Sequence, residues 1–430
     1  MWRAMAPSLP SVSPALPHHV WPATAVVGPD GRLRVGGCVL SDLAADVGTP
    51  SYVVCRATLR AACEAWAEAF GARASYATKA NPARAVLEVV RDAGLAADAS
   101  TGGELAAVLG AGFEPARIVF HGNNRSADEL AGAVEAGVGL IAVDNDRDID
   151  ILEAAVADGR ARSRPRVLVR LTPNVEPHTH AHVATGQADS KFGFPLAAAE
   201  AAIARARRRL DVVGLHAHVG SMLFDLDLFE ETVDVLAPLM AGVDGDVISV
   251  GGGIGAAHLP DDPEPPGPQE LARRLAGRWP GTVLVEPGRA LVARAGVTVY
   301  AVGNVRRIPD VNTYVAVDGG MGENPRVALY DARYEARLAD RPLDATDVVA
   351  TVVGKHCESG DVIARGAALP WPEPGEILVT PATGAYHHAM ASTYNLVPRP
   401  PLVMVEDGRH EVVVRRERLE DLFAREVPGG

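Results

Sequence analysis

VVGLHAHVG (residues 212–220), DVISVGGG (246–253) and TVLVEPG (282–288) are three short apolar runs, each closing on glycine or on a polar side chain, with helix-like stretches between them. Runs of this length, apolar throughout rather than alternating, suit strands covered on both faces, as in a parallel sheet flanked by helices. Five similar runs lie upstream: ASYATKA (74–80), LAADAS (95–100), RIVFHG (117–122), LIAVD (140–144) and RVLVRLT (166–172). Stretches such as 82–93 and 103–111 separate them with helical spacing. Eight strand–helix units over about 240 residues match the size of a (β/α)8 TIM-like barrel.

The polar residues strengthen that reading. Lys79, Ser100, His121, Asp144, His218, the run Gly251–Gly253 and Glu286 all fall at or just after the C-terminal end of a strand. A barrel gathers those ends at one mouth, where active sites are built. An open doubly wound sheet would spread them.

Beyond about residue 296 the rhythm changes. VTVYAVGNVRRI (297–308), TYVAVDG (313–319), ATVVGKHC (350–357), GEILVTPATGAY (375–386), PPLVMVEDG (400–408) and HEVVVRRE (410–417) are β-rich and separated by turns. They predict a second, mostly antiparallel β domain, so the fold class is α/β plus β. VVGPDGRLRVGG, with a turn at Asp30-Gly31, is a hairpin expected to join it. The barrel is placed at 51–295 and the β-rich domain at 21–50 plus 296–430. Residues 1–20, broken by four prolines, read as a frayed tail with no secretory signal. The stretch LPDDPEPPGP (259–268) is expected to be a loop over the barrel mouth.

A net charge of −13 argues against nucleic acid or an anionic membrane surface as partner. The one basic run, 205–209, falls in a helical pattern and reads as a solvated face. No stretch of eighteen apolar residues exists, so no membrane span is expected. Four cysteines without a CxxC do not make a disulfide framework, which points to the cytoplasm. Cys38, Cys55 and Cys63 read as small hydrophobes.

Several residues carry chemistry. Lys79 follows an apolar strand and would enter the mouth from a desolvated setting, which favours the neutral amine that makes Schiff bases; a surface lysine is the plain alternative. Gly251–Gly253, with Gly255 beyond, offers backbone N–H groups for a phosphate after strand seven. In EPGR, Glu286 could hold a pyridine nitrogen protonated and Arg289 could bind an anion, unless the two merely close the barrel as an ion pair. His218 could lie against a cofactor ring with Ser221 reaching its phosphate, whereas His216 suits a core histidine. His178, His180 and His182 invite a metal reading, but no companion carboxylate is evident and no metal is assigned. Cys357-Glu358 suits a proton donor beside a cation-binding acid; a buried structural cysteine fits equally.

Taken together, YATKAN (76–81), STGGEL (100–105), HGNNRS (121–126), TGQADSKFG (185–193), HAHVGS (216–221), GGGIG (251–255), EPGR (286–289), VDGGMGENPRVALY (317–330), GKHCESGD (354–361) and ATGAYHHAMASTYN (382–395) occur in the order of one family. The chain resembles the diaminopimelate decarboxylases, in their actinobacterial form, which carry the alanine-racemase-like fold and use pyridoxal 5'-phosphate (PLP). The resemblance implies decarboxylation of meso-2,6-diaminopimelate in lysine biosynthesis. It implies that Lys79 holds the cofactor covalently, that His218 stacks on its ring and that Glu286 meets its nitrogen. Ser221, Gly252, Gly253 and the turn Glu286-Pro287-Gly288-Arg289 would hold the phosphate. Arg289, Arg326 and Tyr330 would bind the substrate's distal carboxylate. Cys357, as proton donor, and Glu358 would come from the second subunit of a homodimer, and Tyr386 would contact cofactor and substrate across the same interface.

The chain departs from the family at Met222 (usually Gln), Ala181 and His182 (usually Glu-Tyr), Val327 (usually Pro) and Asp331 (usually Gly). These put the substrate in question rather than the reaction type, and leave open a paralogous decarboxylase for another amino acid. A racemase on the same fold would not need the CESGD unit. An inactive regulatory homologue would be expected to lose Lys79 or Glu286. A Schiff-base aldolase barrel leaves the glycine run and the β-rich domain unexplained.

Overall fold

The structure, a computed structural model, describes residues 15–161, 163–173 and 190–427. Residues 1–14 of the expected tail, and His178, Ala181 and the rest of the histidine triplet, lie outside them. The chain forms two compact units, one of residues 60–255 and 264–291, the other of residues up to 59, 256–263 and 292 onward.

The first unit is the barrel. Its strands are β1 (Ser75–Ala77), β2 (Ala96–Ala99), β3 (Ile118–Phe120), β4 (Leu140–Val143), β5 (Arg166–Thr172), β6 (Asp211–His216), β7 (Val247–Ser249) and β8 (Thr282–Leu284). Each pairs in parallel with the next. Closure comes just past β8, where Ser75 N–H donates to Val285 O at 2.9 Å and Ala77 N–H to Pro287 O at 3.0 Å. The strands are buried almost throughout, as a sheet covered by helices requires.

Three of the helices start on side-chain caps in the loops that follow their strands. Thr101 accepts from Glu104 N–H, Ser126 and Glu129 form a reciprocal capping box, and Asn145 accepts from Asp148 N–H. Glu129 also accepts from Gly102 N–H at 2.7 Å, joining two neighbouring helix starts. Parts of the STGGEL and HGNNRS motifs are therefore structural. Arg125, fully buried, donates to the carbonyls of Phe120 and Ala142 and to Asp148, which fixes β3 to β4. The basic run is a solvated helix face: Arg205 pairs with Asp146 and Asp150, and Arg207 with Asp244.

The second unit is a sheet in the order Val362–Leu369, Val348–Val353, Asn312–Val317, Gly296–Ile308, Ser51–Cys55, Leu402–Glu406, Arg409–Val414. Pairing is antiparallel except where 312–317 meets 348–353 and where 402–406 meets 51–55. The hairpin at Asp30-Gly31 forms, Val26 facing Arg34, and its Leu33 and Val35 join a core that includes Val53, Val297 and Val403.

Here one expectation is corrected. Ser51–Cys55 is not the start of the barrel but a central strand of this sheet, between Gly296–Val299 and Leu402–Val405. SYVVC is buried throughout and is followed at once by the helix Arg56–Phe70. Locally it is indistinguishable from a barrel strand–helix unit, and only its long-range partners decide. Residues 256–263 likewise group with the β-rich unit, His258 and Leu259 N–H both donating to Asp262. Among the described residues no helix is long and apolar enough to cross a membrane.

Candidate active site

Within the barrel unit, the polar residues named from the sequence do sit just beyond the strand C-termini. Glu286, two residues past β8, is 5 % exposed. Its carboxylate accepts from Ser249 Oγ, at the end of β7, at 2.7 Å, and meets His216 Nε2, at the end of β6, at 3.2 Å. His121 Nε2, just past β3, lies 3.4 Å away, and Asp98 of β2 lies 3.7 Å from that same nitrogen. Four strands thus converge on one buried carboxylate. Closing the barrel is what makes residues 98 and 286 neighbours.

The charges follow from the contacts. Burial alone would push Glu286 up, but His121 and His216 outweigh it and hold the carboxyl well below its ordinary range. Burial pulls His216 down to about 4, so it serves Glu286 as a neutral partner. His121 goes the other way: burial opposes its charge, yet Asp98 and Glu286 together raise it. Asp98 is pushed up to about 6 by burial, against the pull of His121. Arg170 on β5 is committed to Asp144 at 3.3 Å. His121, His216 and Glu286 also have the spacing of a metal-ligand group, but both Glu286 oxygens are already engaged by Ser249 and His216.

His218 lies past the end of β6, half-buried. Gly252 N–H donates to its Nδ1 at 3.1 Å, so the ring is orientated and its other nitrogen carries the proton. Burial and then the Lys79 charge hold it well below its ordinary value, hence neutral. The glycine run permits this approach: Gly251 has φ +69°, and a Cβ there would fall 2.6 Å from His218 Nδ1. A Cβ on Gly252 would fall 2.1 Å from Glu286 O. Ser221 is half-buried, and Pro287, Gly288 and Arg289 are buried. Lys79 sits in a single turn, Thr78–Ala80, directly after β1. It is exposed, which corrects the expectation of a desolvated amine: its neighbours in the turn, Thr78 and Ala80, are buried, but its own side chain is not.

The β-rich unit brings together a second set. The Arg326 guanidinium stands 5.4 Å from the Tyr330 ring and 5.7 Å from the Tyr386 ring, and its Nε donates to Tyr334 OH at 2.8 Å. Cys357 and Glu358 are exposed on a turn, which removes the buried-cysteine alternative. That turn is stiff. Cys357 N–H donates to Asn395 Oδ1 at 3.0 Å, while Asp361 accepts from His356 N–H at 2.7 Å and Met321 N–H at 2.5 Å. Of the departures, Asp331 adopts φ +49° as the left-handed residue ending helix 326–330, which explains glycine as the usual occupant. Met222 also has positive φ, +57°, and nothing in the structure explains its side chain. Val327 is buried against Tyr334 and Val362.

Sequence reasoning missed Asp98 and Ser249, and took His216 for a core residue only. The available signal was a lone polar residue in an otherwise apolar strand, as in AADA and VIS.

The chain matches the model of a family described as "Pyridoxal-dependent decarboxylase, pyridoxal binding domain" over residues 56–293. It is 41 % identical to the diaminopimelate decarboxylase of Mycobacterium tuberculosis, over 95 % of this chain and 98 % of that one. It is 43 % identical to that of Actinosynnema pretiosum, over 98 % and 100 %. The crystal structure of the M. jannaschii diaminopimelate decarboxylase in co-complex with L-lysine superposes with TM-score 0.87 at 28 % identity, covering 95 % of this chain and 98 % of that one.

Proposed function

The chain belongs to the diaminopimelate decarboxylases, and on that premise we propose how its own residues divide the work. The reaction is the PLP-dependent decarboxylation of meso-2,6-diaminopimelate to L-lysine and carbon dioxide. When bound, the cofactor supplies an electron sink for the pair left as CO2 departs, a sink that is strongest when its ring nitrogen is protonated.

The donor set fits that group. A buried, ionised carboxylate, a half-buried neutral imidazole, glycines where any side chain would collide and an accessible lysine share one end of one barrel. Lys79 would hold the cofactor through its amine, His218 would lie against its ring, and Glu286 would face its nitrogen. Ser221, Gly252, Gly253 and the turn 286–289 would receive the phosphate. Arg289, Arg326 and Tyr330 would bind the substrate's far carboxylate, with Glu358 and Tyr386 beside it. Cys357 would protonate the carbon that lost CO2. The observation that carries this reading is Glu286, buried yet held ionised, since a carboxylate so placed can stabilise a positive ring nitrogen.

Cys357 and Glu358 would act on the site of a second copy, making the working form a homodimer; their exposure on a stiff turn supports this. The cysteines are free, and burial pushes the Cys63 thiol up to about 12, an inert state. Free thiols suit a reducing compartment, the cytoplasm.

The test is CO2 release by the PLP-loaded protein from meso-diaminopimelate beside L-lysine, L-ornithine and L-glutamate. Release from diaminopimelate alone, with L-lysine as product, is expected. Release from another amino acid at a higher kcat/KM would show that the pocket has been retuned.

A further inference from the structure

Asp98 and Glu286 place two carboxylates in the buried end of the barrel. Buried anions need a compensating charge, or one of them takes up a proton. Arg170 is engaged with Asp144. Lys79 is exposed. His216 touches Glu286 but is neutral, its Nδ1 without a hydrogen-bond partner. His121 alone among the described residues stands at ion-pair distance from both acids, 3.4 Å from Glu286 Oε1 and 3.7 Å from Asp98 Oδ1.

We propose that His121 is a positioning residue that carries the positive charge holding Glu286 as an anion, so that Glu286 meets the cofactor's ring nitrogen as an acceptor and not as a donor. The inference rests on the reading that Glu286 faces that nitrogen. Asp98 completes the device at the same Nε2, 3.7 Å away. With two acids competing for one cation, the proton that must be carried somewhere in the cluster settles on His121, leaving Glu286 charged. Ser249 and His216 then fix the carboxylate's orientation through one hydrogen bond to each oxygen. Without the His121 charge, the nearest relief is protonation of one acid. A protonated Glu286 would present a hydrogen to the ring nitrogen and end its role as counter-charge. His121 touches no reacting atom in this scheme; it acts through Glu286.

The experiment compares wild type with His121→Gln, His121→Asn and Glu286→Gln, each loaded with PLP labelled with nitrogen-15 in the ring. The readouts are the nitrogen resonance, the cofactor dissociation constant, kcat and KM. The expected result for H121Q is a resonance moved from the protonated toward the neutral ring position. Its kcat should fall on the order of tenfold to a hundredfold, the range that outer partners of a charged group carry, with KM within about twofold. E286Q should move the resonance at least as far. A folded H121Q that keeps the protonated resonance and the wild-type kcat, while E286Q loses both, overturns the role of His121 alone. If E286Q also keeps them, the reading of Glu286 fails instead. Should H121Q not fold, H121N carries the same comparison.

Discussion

Two glutamates are buried to nearly the same depth, Glu286 at the end of the barrel and Glu323 in the β-rich unit, at 5 % and 2 % exposure, yet they carry opposite charge states. Glu286 is ringed by Ser249, His216 and His121 and stays ionised. Glu323 has the N–H of Gly320 on one oxygen, and the charges around it are those of Asp361 and Asp318. Burial, reinforced by those acids and only partly offset by the backbone donors, pushes it up to about 8, so it is neutral at physiological pH. The difference teaches that depth alone does not make a carboxylate functional. A buried acid beside a cation becomes a counter-charge for something that binds; a buried acid among acids becomes a hydrogen-bonded piece of the scaffold.

The largest effect should come from taking away what the barrel carboxylate serves. Lys79→Ala is expected to abolish the visible absorbance of bound cofactor and lower kcat/KM by at least about a thousandfold, as losing the residue that covalently holds a cofactor does. Absorption spectra after dialysis, alongside CO2 release, decide it. Turnover near wild type in this variant would sink the assignment of Lys79, and with it the reason for an ionised Glu286.

Next comes Cys357, on the exposed turn of the β-rich unit. Cys357→Ala should lower kcat on the order of a hundredfold, at the lower end of what a positioned general acid contributes. Cofactor absorbance and stability should stay unchanged, since the thiol is exposed. Normal turnover would remove Cys357 as proton donor. The contrast with Lys79→Ala separates a group that holds the cofactor from one that meets the reacting carbon.

Glu323→Gln tests the scaffold side directly. The folded state raises this acid from an ordinary value near 4.5 to about 8. A raised folded value means that its contribution is complete below about pH 4.5 and is lost as pH climbs through 8. At roughly 1.4 kcal/mol per unit, wild type should lose about 2–3 kcal/mol relative to E323Q between pH 5.5 and 7.5. Urea unfolding of both proteins at the two pH values measures it. A difference that does not change with pH would mean that Glu323 is ionised and that the two glutamates are not opposites. Activity of E323Q with diaminopimelate should match wild type.

How much of this was visible in the chain follows from where the information lies. Barrel strands such as RVLVRLT and VVGLHAHVG are readable because a strand covered on both faces must be largely apolar, and Lys79, His218 and Glu286 because each stands at or just after the end of such a run. SYVVC satisfies the same local rule and belongs to the other sheet, since its partners, residues 296–299 and 402–405, lie hundreds of residues away. The exposure of Lys79 was likewise illegible, since Thr78 and Ala80 on either side of it are buried. Asp98 and Ser249 are lone polar residues in apolar strands, a pattern that also fits an inward hydroxyl bonded to its own backbone. Only barrel closure brings residues 98, 121, 216, 249 and 286 to one place.

A third acid, Asp331, is exposed, with no ion pair among the described residues, and it shows what an acidic side chain does when conformation is its task. It ends the helix 326–330 at φ +49°, ψ +31°, a region that side chains with a Cβ enter at a penalty of about 1–2 kcal/mol, though aspartate and asparagine enter it more easily than most. Glycine, the family's usual residue, would relieve that strain but give back about 0.5–1 kcal/mol through the larger freedom of its unfolded chain. The two terms nearly cancel, so Asp331→Gly should change stability by less than about 1 kcal/mol. Asp331→Val, branched at Cβ, should lose about 2 kcal/mol at the same position. Thermal unfolding of the pair measures both. Because the role is conformational, D331G should also keep the wild-type ratio of kcat/KM for diaminopimelate over L-lysine. A change in that ratio would mean that the carboxylate reads the substrate, and that Asp331 belongs with Glu286 and not with Glu323.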